Sequence, residues 1–337
     1  MKREILNWLN NLKTQTHPIF VENNKEISVN EFLNDIWFAI NQIKKYEKVS
    51  IAHVLTYRNV VILFASVLSC KEVAQLTFEE NKKDFNNTWK FINYVELSGS
   101  KNTTEKVLEI LNQYDEKKCK VLLSSSGSTG KNHYTPHIDD EIWLSSKIYS
   151  KYFQTNENKE YANIFYSAYA SAIFLFLLLP MYKKITLHLI EPSDKTKFGD
   201  KVVENYVSNK NINILFVVGL VYFRFNNIKN CLIIHARALK EFQYDLIKEI
   251  IANNTYINVF ASTDFLMEFL SIPKIPEEIG KFNVIKKEYT LDDTGELFYD
   301  NIHSNNRFEL LKNGNLKFIG RTSSIVQDCL KNSEGEK

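Results

Sequence analysis

Residues 121–134, VLLSSSGSTGKNHY, combine residue types that bind phosphate. Gly127 and Gly130 would let backbone N–H groups approach an anion, and Lys131 would add a positive charge. The hydroxyl donors of the segment are Ser125, Ser126, Ser128 and Thr129. The whole chain has only 10 glycines, about half of what average usage predicts. Two glycines this close together therefore favour a phosphate-binding loop over residues 124–131.

The Walker A loop is another phosphate-binding motif, and its spacing does not match. It requires four residues between its glycines and a Ser or Thr after its lysine. Here two residues separate Gly127 from Gly130, and Asn132 follows Lys131. A serine-rich surface loop without a ligand remains the plainer alternative.

The loop is expected to follow a strand and to lead into a helix. KCKVLLSSS predicts a buried strand before it, and a helix should begin near Asp139 and Asp140. Farther upstream, KVSIAHVL predicts a strand, and RNVVILFASVLSCKEVAQLTF predicts a helix that leads into another strand. TTEKVLEILNQY predicts a further helix. Strands that alternate with helices indicate a mostly parallel sheet covered on both faces.

A short hairpin is predicted near the start of the chain. In IFVENNKEISVNEFLNDIWFAINQIKKY, Ser28 is expected to cap the helix that follows, and Glu31 to complete a capping box.

The second half of the chain repeats the α/β pattern and then changes. Helices are predicted in SDKTKFGDKVVENYVSN and LKEFQYDLIKEIIANN. Strands are predicted at Ile185–Ile190, Ile212–Val218, Cys231–His235 and Tyr256–Phe260. From about Val284, short strands joined by tight turns such as DDTG and NG predict a small antiparallel sheet or barrel.

These patterns predict an α/β protein with two layered α/β subdomains, mostly parallel sheets, and a small antiparallel β-barrel-like subdomain. The predicted boundaries are residues 1–160 for the first subdomain and 161–283 for the second. The small β subdomain would cover residues 284–326, and a polar tail would cover residues 327–337.

Composition excludes several classes of protein. The 42 basic and 40 acidic side chains leave a net charge of +2 and no basic field for a nucleic-acid partner. The four cysteines are far apart and form no metal-ligand spacing. The first 20 residues lack the apolar stretch of a secretory signal, so a cytoplasmic protein is expected.

One apolar segment, Ile164–Tyr182, runs 19 residues without a charge. That is near the roughly 20 residues a membrane span needs. Ser167, Ser171 and Pro180 interrupt the segment and no basic anchor precedes it, so a buried core element is favoured over a membrane span.

The segment SSSGSTGK resembles the phosphate-binding loop of the adenylate-forming superfamily, which includes acyl-CoA synthetases and adenylation domains of nonribosomal peptide synthesis. NVFASTDF resembles a second motif of that superfamily. The resemblance implies that Phe260 lies against adenine, that Thr263 contacts the α-phosphate, and that Asp264 binds Mg²⁺. Thr263, Asp264 and Lys131 would then be the catalytic residues, with ATP and Mg²⁺ as cofactors.

Further segments follow the order of motifs in the superfamily. GELF at Gly295–Phe298 resembles its GEL strand, and NGNLKFIGRTSS resembles a motif that places Arg321 near ribose and phosphate. CLIIHARAL is similar to its adenine-side turn, which makes His235 and Ala236 purine neighbours. The resemblance also implies that Tyr169 and Ala172 bind the acid substrate. Tyr169 stands at a position where many members have histidine.

The sequence also departs from the superfamily pattern. The usual KPKG is replaced by residues 131–134, KNHY, and the TGD motif whose aspartate binds ribose is not found. The sequence given ends 16 residues after the GR motif at Gly320–Arg321, so the small C-terminal domain with its catalytic lysine is expected to be absent.

The sequence hypothesis is therefore ATP-dependent activation of a small carboxylic acid to an acyl-adenylate. The acyl group would pass to the thiol of an acyl-carrier protein or CoA, with the C-terminal domain supplied by a separate protein. The apolar residues 166–179 favour an aromatic or aliphatic acid. Two alternatives stay open, namely a degenerate, non-catalytic member that serves as a scaffold or ligand-binding subunit, and an unrelated phosphate-binding protein.

Overall fold

The structure is a computed structural model. It describes residues 3–52, 56–76, 88–98, 102–124, 134–153, 160–163, 177–189, 209, 211–217, 228–235, 244–260, 266, 269–284, 289–299 and 302–321. The chain divides into two units, Met1–Phe216 and Val217–Lys337. The α/β class is confirmed, whereas the four-part division expected from the sequence stays a prediction.

The N-terminal unit alternates helices and strands. Its helices are α1 (Glu4–Leu12), α2 (Val29–Ile43), α3 (Tyr57–Ser69), α4 (Thr104–Leu111), α5 (Asp139–Ser150) and α6 (Leu179–Tyr182). Its strands are β1 (Phe20–Glu22), β2 (Lys25–Ile27), β3 (Lys48–Ala52), β4 (Glu72–Leu76), β5 (Lys90–Ile92), β6 (Lys120–Ser124), β7 (Tyr134–Ile138), β8 (Glu160–Asn163), β9 (Thr186–Leu189) and β10 (Ile214–Val217).

One sheet of this unit has the strand order β5-β3-β4-β6-β7. The strands β5, β3, β4 and β6 run parallel, and β7 returns antiparallel to β6. The carboxyl ends of β3, β4 and β6 therefore meet at one edge of the sheet. The segments 53–55, 77–87 and 125–133 all leave from that edge.

The other strands of the unit pair in the order β10-β8-β9-β1-β2. All neighbours in this group are parallel except the hairpin β1–β2. Asn23 and Asn24 form the hairpin turn with φ of 51° and 62°. Asparagine tolerates this left-handed region better than most residues. The predicted hairpin is confirmed.

Helices α2 and α3 illustrate how sequence pattern sets burial. Ser28 caps α2 by accepting a hydrogen bond from Glu31 N at 3.1 Å, while the Glu31 carboxylate pairs with Lys25 Nζ at 2.5 Å. Helix α3 is apolar on nearly all faces and is buried along almost its whole length. Phe64 of α3 meets Phe32 of α2 edge to face, with ring centroids 5.3 Å apart.

The C-terminal unit begins as parallel β and continues as antiparallel β. Its elements are β11 (Leu232–His235), α7 (Tyr244–Asn253), β12 (Thr255–Phe260), β13 (Phe269–Ser271), β14 (Lys281–Val284), β15 (Thr290–Leu291), β16 (Glu296–Tyr299), β17 (Ile302–Leu310) and β18 (Leu316–Arg321). β11 and β12 are parallel, and the later strands pair antiparallel in the order β12-β13-β14-β18-β17-β16-β15. Among these described strands the sheet is open, so the small subdomain forms a sheet and not a closed barrel.

Several elements were not expected from the sequence, among them α1 and β8. Strands β5 and β13 are only three residues long. Strand β7 stands between the serine-rich loop and α5, where the sequence predicted the loop to lead directly into a helix. Its sequence YTPHI contains a proline, which weakens a strand prediction but is tolerated at the edge of a sheet.

The apolar segment Ile164–Tyr182 is described only from Leu177 onward. Leu177 to Met181 are buried there. Within the described ranges, none of the helices combines the length and the apolar character that crossing a bilayer requires.

Glycine at position 295 is required by both backbone angle and space. Gly295 has φ of +79°, and a Cβ built there would lie 2.5 Å from Phe308 O. Gly314 has a similar φ of +82°, but nothing lies within 4 Å of its Cβ position. The two glycines therefore separate the cost of the backbone angle from the cost of the clash.

We expect Gly314→Ala to lower the free energy of unfolding by about 1–2 kcal/mol, the cost of a left-handed alanine. Gly295→Ala should cost clearly more, because the new Cβ would collide with a backbone carbonyl. Urea unfolding of both variants beside the wild-type protein measures the difference. Equal losses would show that the Phe308 backbone moves away at no cost.

Candidate functional site

The serine-rich segment joins the two strands of a hairpin. β6 ends at Ser124, which pairs with Tyr134 at the start of β7. Residues 125–133 lie outside the described residues, so the phosphate-binding roles of Ser125 to Lys131 stay predictions. The structure does establish where this segment starts and returns, which is the carboxyl edge of a parallel sheet.

The opposite end of the hairpin is closed by Asp139, the first residue of α5. Its backbone N–H donates to Cys119 O at 3.0 Å, and its Oδ1 accepts from Cys119 N at 3.1 Å. Its Oδ2 accepts from Arg3 Nη2 at 2.6 Å. Burial raises the pKa of Asp139, while Arg3 and the Cys119 N–H oppose that rise by stabilising the carboxylate.

The described cysteines are unsuited to nucleophilic chemistry. Cys70, Cys119 and Cys231 are all buried and free of disulfides. Burial raises the pKa of each of these thiols, so the reactive thiolate is disfavoured.

In the C-terminal unit, a polar cluster lies at the carboxyl ends of β11 and β12. His235 is fully buried and stands opposite Asn258 in the parallel register. Its Nδ1 is 3.0 Å from Tyr256 Oη and 3.1 Å from Asn258 Nδ2. In both contacts the donor or acceptor role of Nδ1 depends on the tautomer of the ring.

Phe260, the predicted adenine contact, packs in an aromatic core. It is 8% exposed, and its ring centroid lies 5.3 Å from those of Phe308 and Phe318 and 6.1 Å from that of Phe282. The structure thus gives this side chain a packing role, and contact with adenine stays a prediction.

The remaining predicted residues are placed only in part. Arg321 ends β18, but its side chain is not described. Thr263 and Asp264 follow β12 and lie outside the described residues. The same holds for Ala236, Tyr169 and Ala172. Across the described ranges, no group of three or more His, Cys, Asp or Glu side chains is arranged to hold a metal ion.

Sequence reasoning missed two features of these regions. The partners of His235 are Tyr256 and Asn258 on the next strand, and parallel pairing of the two predicted strands was the available signal. The pairing of Arg3 with Asp139 joins residues 136 positions apart. No local pattern indicates that contact.

No protein-family model and no curated protein matches the sequence. Solved structures do match over almost the whole chain. The N-terminal domain of FACL13 from Mycobacterium tuberculosis, determined with an inhibitor, matches at a TM-score of 0.71 and 10% identity, over 95% of this chain and 100% of that one. VinN in complex with L-aspartate matches at a TM-score of 0.70 and 10% identity, over 94% of this chain and 98% of that one.

The N-terminal subdomain of NpsA from Klebsiella oxytoca, in complex with 3-hydroxybenzoyl-AMSN, matches at a TM-score of 0.67 and 10% identity. The match covers 95% of this chain and all of that one. Identities near 10% establish the fold and nothing finer. The chain has the fold of the N-terminal domain of adenylate-forming enzymes, as the motif order predicted.

The hydrogen bond from Tyr256 to His235 can be tested directly. Burial raises the pKa of Tyr256 far above its usual value, so its hydroxyl stays protonated and can donate to Nδ1. We expect Tyr256→Phe to lower the free energy of unfolding by about 1 kcal/mol, the usual net value of a buried hydrogen bond. Tyr152→Phe is the control, because that tyrosine is 40% exposed. Equal stability of the two variants in urea unfolding would contradict the assignment.

Proposed function

We propose that this protein activates a carboxylic acid with ATP to form an acyl-adenylate and pyrophosphate. The observation that carries the proposal is the position of the segment SSSGSTGK. In a chain with the adenylate-forming fold, it leaves the carboxyl end of β6 at the edge of a parallel sheet. Ligands of open α/β sheets bind outside the carboxyl ends of the strands.

The C-terminal unit offers a second edge of the same kind. β11 and β12 run parallel, with His235 opposite Asn258. The segments that follow them, 236–243 and 261–265, therefore leave on the same side. Ala236 lies in the first segment, and Thr263 and Asp264 lie in the second, which supports joint roles in nucleotide binding for these three residues.

In the proposed reaction, a carboxylate oxygen of the acid attacks the α-phosphorus of MgATP. The bond from the α-phosphorus to the bridging oxygen breaks, and pyrophosphate leaves with that electron pair. The serine-rich loop and Lys131 would stabilise the charge on the departing phosphates, while Thr263 would contact the α-phosphate. Asp264 would bind the magnesium ion of the substrate, since carboxylate oxygens suit this cation.

The acid and the acceptor are finer parts of the proposal. NpsA binds an aromatic acyl-AMSN and VinN binds L-aspartate, so the fold itself admits different acids. The apolar residues 166–179, with Tyr169 and Ala172, favour an aromatic or aliphatic acid here. An artificially fused adenylation–PCP di-domain from Klebsiella oxytoca also matches, at a TM-score of 0.67 and 10% identity. The match covers 95% of this chain and 79% of that one. It supports a carrier-protein thiol as acceptor.

Pyrophosphate exchange into ATP, run with a panel of aromatic, aliphatic and charged acids, tests the activity. A separate C-terminal subdomain and a carrier protein are added in parallel reactions, to measure whether either of them raises the exchange rate. Acid-dependent exchange in any of these reactions supports the proposal. Absence of exchange in all of them, together with no ATP binding by calorimetry, would favour the scaffold alternative.

Replacement of Lys131 or Thr129 tests the phosphate loop. Loss of a hydrogen bond to a charged group costs about 1.5–3 kcal/mol, so Lys131→Ala should weaken ATP binding by about tenfold or more. Thr129→Ala should weaken it less, because the hydroxyl is neutral. Lys120→Ala is the matched control, since Lys120 is exposed at the far end of the same strand. ATP affinity equal to that of the control in both loop variants would refute the assignment.

A further inference from the structure

A charged pair lies buried within the N-terminal unit, at the end of the hairpin β6–β7 opposite Ser124 and Tyr134. The side chains of Arg3 and Asp139 are 2% and 1% exposed, and Arg3 Nη2 is 2.6 Å from Asp139 Oδ2. Arg3 Nε also donates to Asp139 Oδ2, at 3.1 Å. Both guanidinium bonds to the carboxylate therefore converge on a single oxygen.

Arg3 also binds two other parts of the unit. Its Nη2 donates to Val67 O, near the end of α3, at 3.0 Å. Its Nη1 donates to Tyr114 O, in the turn after α4, at 2.9 Å. Its backbone N–H donates to Asp115 Oδ1 at 2.8 Å. One side chain thus connects α3, the turn after α4, and the start of α5.

Asp139 uses its remaining oxygen at the base of the hairpin β6–β7. Oδ1 accepts from Cys119 N, and the backbone N–H of Asp139 returns a bond to Cys119 O. The next pair of the ladder is Lys120 with Ile138, and its last pair is Ser124 with Tyr134. β6 is paired with β4 in the sheet, and Arg3 additionally ties the base of the hairpin to α3 and to the turn after α4.

The energetic balance of this pair argues for a positioning role. Desolvation offsets much of the attraction in a buried ion pair, so apolar replacements often leave stability unchanged. What such a pair provides in some proteins is one specific arrangement of the elements that it joins. A single specific arrangement is important for a pair of strands, because a slip of one residue turns every side chain to the opposite face.

We propose that Arg3 is a positioning residue for the phosphate loop. By fixing Asp139 against α3 and the turn after α4, it sets the place and register of β6–β7. It thereby sets the points at which residues 125–133 leave Ser124 and return at Tyr134. This inference rests on the proposed function, because it assigns the fixed hairpin to ATP binding.

The decisive variant is the double replacement Arg3→Met with Asp139→Asn. It removes both charges, while the asparagine oxygen still accepts from Cys119 N. Either single replacement leaves one buried charge without its partner and would chiefly report unfolding. In the double variant we expect the KM for ATP to rise by about tenfold, since small misplacements of a binding group have effects of that size or larger. The KM for the acid should stay within about twofold of the wild-type value.

A merely structural role predicts a different result. Partial unfolding lowers the fraction of active protein and hence kcat, and leaves both KM values unchanged. Tyr57→Phe provides the control, because it removes a buried bond of 2.6 Å to Asp35 in the same unit but outside the hairpin. A double variant whose KM for ATP equals that of wild type and of this control would overturn the proposal.

Hydrogen exchange of the nucleotide-free protein separates this inference from the function. In the double variant, amides of β6 and β7 should exchange about tenfold faster relative to those of β1. Unchanged exchange there would overturn the positioning role, whatever the enzyme assays show. If the wild-type protein neither binds ATP nor exchanges pyrophosphate, the proposed function fails. Hydrogen exchange of β6 and β7 then decides by itself whether Arg3 fixes the hairpin.

Discussion

A carboxylate placed out of water at the base of a hairpin needs a cation and hydrogen-bond donors. Asp139 has these in Arg3 and in the backbone N–H of Cys119. Because Arg3 also holds carbonyl groups near the end of α3 and after α4, the requirement of one buried charge fixes several elements at once. This contact joins α3 and the turn after α4 to the base of the hairpin from which the serine-rich segment leaves.

Helix α1 is anchored by the same region. No side chain of its own caps its first turn. Instead, Asp115 accepts from Arg3 N, and Asp140 accepts from Glu4 N at 2.9 Å. Aspartates near the N-terminus of a helix satisfy its free N–H groups and interact favourably with its dipole. The N-terminal helix and the hairpin β6–β7 are therefore joined by a shared set of carboxylates.

In both units, the segments for which binding roles are predicted follow the carboxyl ends of parallel strands. In the N-terminal unit, the segment rich in serine and glycine follows β6, whose carboxyl end lies beside those of β3 and β4. In the C-terminal unit, parallel β11 and β12 release the segments that contain Ala236 and Thr263 with Asp264. His235, Tyr256 and Asn258 form a buried, hydrogen-bonded polar set at the end of β11. Phe260 anchors the end of β12 in the aromatic core.

The sequence by itself determined the alternation of strands and helices, most strand positions, the cap of α2 and the order of motifs that indicated the fold. These features are local, because apolar period, turn residues and capping depend on neighbours a few positions apart. The tertiary structure alone decided that β7 returns from the loop, that Phe260 packs against three phenylalanines, and that Arg3 reaches Asp139. Each of these depends on burial and on partners far along the chain, and a local pattern contains no information about such partners.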